Sequence, residues 1–260
     1  MKVLISDNLS AKAVEVLKRA PGIDCDVLTG LKPEELKKKI KDYHGLVVRS
    51  ATKVTADIIE AAENLKVIGR AGTGVDNIDM LAATKKGVVV MNTPGGNTVT
   101  TAEHAVAMML SLARHIPQAT VSMRKGEWEK KKYEGTEITG KTLGILGVGN
   151  IGSVVASRAI GLKMNVIAYD PFISAEAADK LGVTLVTLEE LFAKSDFISI
   201  HVPLTNETKN LVNAEAFGKM KKGVRLINCA RGGIVNERDL AEAIKAKQVI
   251  VILDSCYSGA

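Results

Sequence analysis

The chain has 260 residues, of which 46% are hydrophobic, so it can bury a sizeable core in one large domain or two modest ones. It contains no run of eighteen apolar residues, and a strand pattern follows Met1 directly, so we expect a cytoplasmic protein with no transmembrane helix, no signal peptide and no membrane partner. The net charge of +6 favours anionic partners. However, the lysine runs at 36–41 and 129–132 share helical segments with acidic residues, and only 3% of residues are aromatic. We therefore expect small anions as partners and no nucleic acid.

The first part of the chain alternates short β-branched runs with helical patterns. Each run is bounded by glycine, aspartate or proline, as strands commonly are. Such a βαβ rhythm predicts a parallel sheet, whose long crossovers cover both faces. The predicted strands are Lys2–Asp7, Cys25–Gly30, Gly45–Ser50, Lys66–Ala71 and Val88–Thr93.

A Pro-Gly-Gly turn at 94–96 interrupts this rhythm, and a long apolar helix from about Val99 to Ile116 follows it. We place the domain boundary here, with a first domain at 1–96 and a second at 97–260. The second domain has six further strands with intervening helices, which is what a doubly wound dinucleotide-binding domain needs. These strands are predicted at Thr142–Val148, Met164–Asp170, Val183–Val186, Asp196–Val202, Val224–Cys229 and Val249–Asp254.

The cysteines give no sign of a disulfide framework or a zinc site. Cys25, Cys229 and Cys256 are an odd number at long spacings, with no CxxC motif or histidine cluster. We therefore expect reduced thiols and no bound metal.

The carboxyl ends of the first-domain strands carry a candidate anion site, because ligands of open parallel sheets lie at those ends. Arg49 lies at the end of one predicted strand, and GRAGTGVDN at 69–77 spans the end of another. Gly72 and Gly74 would let backbone N–H groups approach a ligand, and Arg49 and Arg70 would supply charge for a carboxylate or phosphate. A tight turn flanked by surface arginines is the alternative, but two arginines and two glycines at neighbouring strand ends favour the anion site.

The second domain contains a dinucleotide-binding fingerprint, Gly147-x-Gly149-x-x-Gly152, between a buried strand and an apolar helix. The first glycine permits a tight turn, the second lets a pyrophosphate approach the backbone, and the third allows close packing of helix on strand. The helix N-terminus favours the phosphates. We assign Asn150 and Ile151, within the motif, to the same cofactor site.

Asp170 extends the fingerprint, since it ends the next strand eighteen residues beyond Gly152. Its carboxylate can accept hydrogen bonds from both ribose hydroxyls of NAD and would repel the additional phosphate of NADP. Pro171 follows it, with no arginine to receive that phosphate. The sequence therefore predicts NAD as the cofactor.

Further strand ends are expected to line the same cleft. Arg231, followed by two glycines, would place a guanidinium at the mouth of the cleft, where it suits a carboxylate or a polarised carbonyl oxygen. Pairing of Arg231 with a helix carboxylate is the alternative. The other residues that we assign to the cofactor cleft are His201, Pro203, Thr208, Cys229, Ala230 and Asp254.

Taken together, these segments resemble the D-isomer-specific 2-hydroxyacid dehydrogenases, and among them most closely the members that act on 3-phosphoglycerate. The resemblance extends from residue 2 to about residue 248. The matching pieces are VVRSATKVT (47–55), VIGRAGTGVDNID (67–79), NTPGGNT (92–98), ARHIPQA (113–119), GKTLGILGVGNIG (140–152), YDP (169–171), HVPLT (201–205) and NCARGGIV (228–235).

The resemblance implies an α/β fold of two doubly wound parallel-sheet domains, a flavodoxin-like substrate domain followed by a Rossmann NAD-binding domain. It also implies oxidation of 3-phosphoglycerate to 3-phosphohydroxypyruvate with NAD, the entry step of serine synthesis. On this interpretation Arg49 and Arg70 hold the phosphate region of the substrate. The backbone of Gly72–Val75 and the side chain of Asn97 hold its carboxylate side, and Arg231 is the catalytic residue that orients the reacting hydroxy acid.

The family transfers the proton with a histidine in a Pro-His-x-Gly segment and a glutamate that orients it. Residues 1–260 contain neither: the four histidines all precede Arg231, and no glutamate follows Glu242. We expect a chain truncated or altered after about residue 248, with the resemblance leaving Asp254 as a match for the aspartate that receives the nicotinamide amide. His104 and His201 are possible substitutes in principle, although such histidines more often serve packing or ribose contacts.

Three other functions compete with this interpretation. LDSCYSGA at 253–260 resembles the segment around the nucleophile of caspase-like proteases, and His201 lies upstream of Cys256 at a plausible distance for the required base. However, His201 is followed by Val202-Pro203 and not by glycine, and such signatures do not transfer between families. A non-catalytic NAD-binding module would explain the missing acid–base pair. A glyoxylate or hydroxypyruvate reductase would need no phosphate-binding arginines.

The resemblance also implies an assembly of identical subunits. Family members commonly dimerise through the nucleotide domain, so we expect a homodimer or homotetramer. The apolar helix near residues 99–116 is the surface predicted to mediate it.

Overall fold

The computed structural model describes residues 1–253, which form two compact units. The first is Met1–Asn97 and the second begins at Thr98. Each unit is built around its own parallel sheet.

The first unit is a five-stranded sheet in the order β2-β1-β3-β4-β5, and every pair of neighbours is parallel. This is the flavodoxin-like strand order, in which the direction of winding reverses between β1 and β3. Its strands are β1 (Lys2–Ile5), β2 (Asp24–Val27), β3 (Gly45–Val48), β4 (Val67–Arg70) and β5 (Val89–Asn92), and its helices are α1 (Ala11–Arg19), α2 (Pro33–Lys39), α3 (Ala56–Ala61) and α4 (Met80–Lys86).

The second unit is a six-stranded parallel sheet in the order β11-β10-β9-β6-β7-β8. Numbered from its own first strand, the order is 6-5-4-1-2-3, that of the dinucleotide-binding fold, with the reversal between β6 and β9. The strands are β6 (Thr142–Leu146), β7 (Asn165–Tyr169), β8 (Thr184–Leu185), β9 (Phe197–Ile200), β10 (Val224–Asn228) and β11 (Val249–Leu253). The helices are α5 (Thr98–Arg114), α6 (Ile116–Arg124), α7 (Asn150–Gly161), α8 (Ala175–Lys180), α9 (Leu188–Lys194), α10 (Ala214–Lys219) and α11 (Glu237–Lys245).

The central strands of the second sheet, β6 and β9, are mostly apolar and buried because helices cover both faces. All four residues of β9 are buried, including its one polar side chain, Ser199. Alternate residues of one strand enter different cores: Ile145 packs with α5 and α7, and Leu146 packs with α9, α10 and α11. The six strands therefore form a rigid platform whose carboxyl ends carry the connecting loops.

The α/β fold with two doubly wound parallel sheets is as predicted, and a strand is found at each of the eleven predicted places. Strands β1 to β10 are each one to three residues shorter than predicted, because residues at one or both ends, such as Lys66 and Ala71 beside β4, belong to the adjoining loops. The long helix was predicted to end at Ile116, and this is wrong. It ends at Arg114, since His115 takes a left-handed conformation with φ of 53°, and a separate helix follows.

The lysine-rich runs lie on solvated faces next to acidic side chains. Lys37 lies 3.2 Å from Asp57, and Lys132 lies 3.0 Å from Glu129. Within residues 1–253, no helix is long and apolar enough to cross a membrane, and no group of three histidine, cysteine or acidic side chains could hold a metal ion. The predicted roles of Asp254 and Cys256 lie outside the described residues.

Candidate functional site

The glycine-rich loop between β6 and α7 is shaped by two glycines that have no space for a side chain. Gly147 has φ of 89°, and a Cβ there would lie 2.8 Å from the Val202 side chain. A Cβ on Gly152 would lie 2.0 Å from the carbonyl oxygen of Gly147, so only glycine lets α7 begin this close to β6. The tight turn and the close helix packing that the motif predicts are both present.

Gly149 meets a different requirement. It has φ of −69°, which any residue can adopt, and a Cβ built on it would have no atom within 4 Å. The residue is exposed and directly precedes α7, whose first turn has free N–H groups and the positive end of the helix dipole. The open space beside Gly149 is therefore suited to an approaching phosphate.

Asp170 connects the end of β7 to this loop. One carboxylate oxygen accepts from the N–H of Val148 at 2.8 Å and the other from the N–H of Phe172 at 2.9 Å. The two bonds fix the carboxylate beside the glycine-rich loop while leaving lone pairs on both oxygens. The geometry fits an acceptor for ribose hydroxyls.

His201 follows β9 at the point where the winding of the sheet reverses. Its Nε2 lies 2.8 Å from the hydroxyl oxygen of the buried Ser199, and its backbone N–H donates to Leu146. Burial lowers the pKa of the imidazole to about 4. His201 is therefore neutral at physiological pH and a weak base, better suited to a hydrogen bond than to accepting a proton from substrate.

The turn after β10 is held by a buried side chain, Asn228. Its amide nitrogen donates to the carbonyl oxygen of Arg231 at 2.9 Å, and its amide oxygen accepts from the N–H of Ala230 at 3.0 Å. Arg231 Nη1 in turn donates to the Ala230 carbonyl at 2.8 Å. Asn228 therefore fixes the backbone that carries Arg231.

Thr208 stabilises the loop after β9 through its own hydroxyl. Thr208 Oγ1 donates to the carbonyl oxygen of Pro203 at 2.6 Å, and the N–H of Thr205 donates to Thr208 Oγ1 at 2.8 Å. Both bonds are internal to the loop. The predicted contacts of Pro203 and Thr208 with the cofactor stay predictions, as do those of Cys229 and Ala230.

In the first unit, Arg49 directly follows β3 and Arg70 ends the neighbouring strand β4, so both lie at strand ends as predicted. Arg70 Nη2 donates to the hydroxyl of Ser50 at 3.0 Å, and Arg49 Nη1 donates to the carbonyl oxygen of Asn8 at 3.2 Å. A Cβ on Gly72 would lie 2.1 Å from Arg70 Nη1, so this glycine makes room for the guanidinium. Both cations lie at the carboxyl edge of one sheet, where anions are expected to bind.

The loop 71–76 is fixed by hydrogen bonds on either side. Thr73 Oγ1 donates to Asn97 Oδ1 at 2.6 Å, and Asn92 Nδ2 donates to the Thr73 carbonyl oxygen at 2.6 Å. The N–H of Thr93 donates to the carbonyl oxygen of Gly72. The predicted substrate contacts from Gly72, Gly74, Val75 and Asn97 therefore belong to one ordered segment, although the contacts themselves stay predictions.

Several residues that shape these sites were missed at the sequence level. Asp7, Thr52, Asn77 and Asn228 contact backbone groups of the loops rather than facing an open cleft. Asp7 and Asn77 are brought to their partners only by strand pairing, whereas Asn228 bonds to residues two and three positions along the chain. Asn228 could have been found, since it directly precedes the Cys-Ala-Arg segment that was singled out.

The second unit fits NAD on its own geometry. Its loop makes the tight turn of a dinucleotide site, because Gly147 and Gly152 leave no space for a side chain. The open space at Gly149 fits the pyrophosphate, and the fixed carboxylate of Asp170 fits the ribose.

Comparison with known proteins agrees with this geometry. Residues 106–258 match the family described as D-isomer specific 2-hydroxyacid dehydrogenase, NAD binding domain. A solved protein from Thermus thermophilus superposes with a TM-score of 0.89 at 34% identity, covering 98% of this chain and 82% of its own. The NAD-dependent formate dehydrogenase of Staphylococcus aureus, solved in complex with NAD, gives a TM-score of 0.88 at 31% identity, covering 100% of this chain and 82% of its own.

Curated relatives are more similar in sequence. D-3-phosphoglycerate dehydrogenase of Archaeoglobus fulgidus is 53% identical over 249 residues, which are 96% of this chain and 47% of the relative. The human protein of the same name is 52% identical over 247 residues, 95% of this chain and 46% of its own. The chain thus spans about half the length of the curated relatives it matches. It belongs to the D-isomer-specific 2-hydroxyacid dehydrogenases, and residues 106–258 are its NAD-binding domain.

Proposed function

We propose that this protein is an NAD-dependent dehydrogenase of the D-3-phosphoglycerate type, which interconverts 3-phosphoglycerate and 3-phosphohydroxypyruvate in serine synthesis. The observation that carries the proposal is the pair Arg49 and Arg70 at adjacent strand ends, beside an ordered glycine loop. Two guanidinium groups are a suitable receptor for a phosphorylated acid. About 50% identity to proteins named for this activity supports the same substrate.

On this proposal each unit has a separate task. The first unit binds the substrate through its arginines and the backbone of Gly72–Val75. The second unit orients the cofactor, with phosphates at Gly149 and ribose hydroxyls at Asp170. Bound NAD supplies the acceptor for the hydride that leaves the substrate carbon. Arg231, fixed by Asn228, is the residue that we assign to orient the reacting hydroxy acid.

Oxidation of the alcohol also requires a group that accepts its proton. The Pro-His-x-Gly segment expected for this role does not occur in residues 1–260. His201 is a poor replacement, because burial lowers the pKa of its imidazole to about 4. We therefore assign His201 to hydrogen bonding within the cleft.

The proposal is tested by following the loss of NADH absorbance with 3-phosphohydroxypyruvate, hydroxypyruvate and glyoxylate as alternative substrates. Arg49→Gln should raise the KM for the phosphorylated substrate by about tenfold or more while changing the others little, because a phosphate loses more than a neutral group when a guanidinium is removed. The matched control is Arg19→Gln, which removes a charge from the same unit on a helix where Arg19 pairs with Glu15. Equal KM changes for all three substrates would favour a hydroxypyruvate or glyoxylate reductase.

A second candidate function for residues 1–260 is an NAD-binding module without turnover. The neutral, weakly basic His201 favours it, since this histidine lies in the cofactor domain and is unsuited to proton transfer. Saturable binding of NADH and 3-phosphoglycerate without NADH consumption would support this candidate. If NADH is consumed, an acid–base group must lie within the 260 residues. His104 would then be the first candidate to test by substitution.

We also propose a homodimer or homotetramer in the cytoplasm. On the predicted surface at 99–116, Val99 and Ile116 are about half exposed. Val121 and Met123 on the following helix α6 are also about half exposed, which supports self-association through this part of the second unit. Within residues 1–253, Cys25 and Cys229 are not joined in a disulfide, which is compatible with a reducing compartment.

A further inference from the structure

We propose that Asp7 and Asn77 are positioning residues, which set the place of Arg49 at the anion site by clamping the turn that carries it. The inference rests on the proposed function, because it assumes that Arg49 contacts the substrate. It adds two residues to the site that face the protein interior. Both are largely buried, with 5% of Asp7 and 7% of Asn77 exposed, whereas Arg49 is exposed.

Asp7 binds the turn from one side through its carboxylate. Its Oδ2 accepts from the backbone N–H of Arg49 at 2.6 Å and from that of Thr52 at 3.1 Å. Its Oδ1 accepts from the Thr52 hydroxyl at 2.7 Å, and that hydroxyl lies 3.0 Å from the hydroxyl of Ser6. Three donors on one carboxylate satisfy its need for hydrogen bonds in a buried position.

Asn77 binds the carbonyl groups of the same turn through its side-chain amide. Its Nδ2 donates to the carbonyl oxygen of Arg49 at 2.7 Å and to that of Thr52 at 2.6 Å. Its own backbone carbonyl accepts from the N–H of Val54 at 2.7 Å. Each of the two turn residues, Arg49 and Thr52, thus has its N–H on Asp7 and its C=O on Asn77.

The clamp joins three strand ends of the first sheet. Asp7 follows β1, Arg49 follows β3, and Asn77 lies in the segment after β4; these strands are neighbours in the order β1-β3-β4. Fixing the peptide groups on both sides of Arg49 fixes the direction in which its side chain leaves the backbone. Of the five N–H donors of the guanidinium, Nη1 reaches the carbonyl oxygen of Asn8, the neighbour of Asp7. The arginine is therefore preorganised before an anion arrives, which lowers the entropy lost on binding.

Removing the clamp should weaken anion binding without changing the cofactor domain. With the 260-residue chain, the dissociation constant for 3-phosphoglycerate is measured by calorimetry, that for NADH by fluorescence, and folding by thermal denaturation. Asn77→Ala should weaken 3-phosphoglycerate binding by about tenfold or more and NADH binding by less than about twofold. The matched control is Tyr43→Phe, which removes a different side-chain hydrogen bond of the first unit, that to Asp26 at 2.7 Å, and should change neither constant.

A double mutant separates positioning from general destabilisation. In an Arg49→Gln background, adding Asn77→Ala should cause no further loss of affinity, because the clamp acts through the arginine. An equal additional loss in that background, or normal affinity of both single variants Asn77→Ala and Asp7→Asn, would overturn the inference. If Asn77→Ala does not fold, Thr52→Val and Thr52→Ser replace it. The valine should weaken binding, and the serine, which keeps the hydroxyl to Asp7, should restore it; equal affinities of the two would count against the clamp.

The same data distinguish this inference from the proposed function. If Arg49→Gln binds 3-phosphoglycerate with normal affinity, the proposed anion site is wrong, and so is the positioning role of the clamp. Weak binding by Arg49→Gln together with normal binding by both Asn77→Ala and Asp7→Asn would leave the proposed function in place and remove only the positioning role.

Discussion

Single residues of the glycine motif meet separate physical demands, which the sequence motif treats as one pattern. Gly152 is required by packing, since a Cβ would reach the Gly147 carbonyl oxygen, whereas Gly149 has open space around it and an ordinary backbone conformation. We therefore expect folding to depend on Gly152 and cofactor binding to depend on Gly149.

Replacing these glycines by alanine should separate stability from binding. Gly152→Ala should lower the free energy of unfolding by about 1–3 kcal/mol, because the added methyl overlaps a backbone atom. Gly149→Ala should keep the melting temperature and weaken NADH binding by about tenfold or more, since the methyl occupies the path of the pyrophosphate. Gly161→Ala, at the end of the same helix and with open space for a Cβ, is the control and should change neither quantity adversely.

Asp170 should determine the choice between NADH and NADPH. Asp170→Asn removes the charge that repels the additional phosphate while keeping one oxygen as a hydrogen-bond acceptor. We expect NADH affinity to fall and the ratio of NADPH to NADH affinity to rise by about tenfold. Fluorescence titration with both cofactors checks this, and an unchanged ratio would mean that the carboxylate serves only the loop bonds to Val148 and Phe172.

His201 should make the protein less stable in acid. Burial lowers its pKa from 6.5 to about 4, so between these values the unfolded chain takes up a proton that the folded chain does not. This contribution destabilises the fold progressively as the pH falls from 6.5 to 4, by up to about 3 kcal/mol, and is absent above 6.5. Denaturant unfolding of His201→Gln should show a shallower acid dependence than the parent chain, and parallel curves would refute the assignment.

For single residues, the sequence predicts those that we assign to ligand contact better than those that fix the backbone around them. Gly147, Gly149 and Asp170 follow from a motif with fixed spacing. Asp7 and Asn77 are seventy positions apart and have no spacing rule, because strand pairing brings them to the same turn.

Among the elements, strands were predictable and helix ends less so. Buried parallel strands are continuous apolar runs, which a single sequence shows clearly. The break between α5 and α6 is marked in the sequence by Pro117, in the first turn of α6, which lacks the N–H that a continuous helix would donate to the Ala113 carbonyl oxygen. The sequence does not reveal that His115 takes the left-handed conformation with φ of 53° that ends α5.

The conformation of His115 leads to a stability prediction. A β-branched side chain is the least tolerant of a left-handed backbone, so His115→Val should lower the free energy of unfolding by about 1–2 kcal/mol. His115→Gly should leave it within about 1 kcal/mol, because relief of the strained conformation offsets the greater freedom of the unfolded chain. Urea unfolding of the two variants tests this, and equal stabilities would show that the break is set elsewhere.

For the molecule as a whole, the division into two units gives each proposed binding task its own sheet. Strand orders 2-1-3-4-5 and 3-2-1-4-5-6 each place a winding reversal in the sheet, at β1 and β3 in one unit and at β6 and β9 in the other. The βαβ rhythm was enough to predict doubly wound sheets, which contain such reversals. The pairing order itself required the structure, since one sequence does not say which strands are neighbours.

The central claim is that the second unit binds NAD and selects it over NADP. A fluorescence titration of the 260-residue chain with NADH and NADPH tests it most directly, with Gly149→Ala as the matched variant. We predict saturable NADH binding, NADPH binding that is weaker by about tenfold or more, and weakened NADH binding by the variant. A folded chain that binds neither cofactor, or binds both equally, would contradict the account.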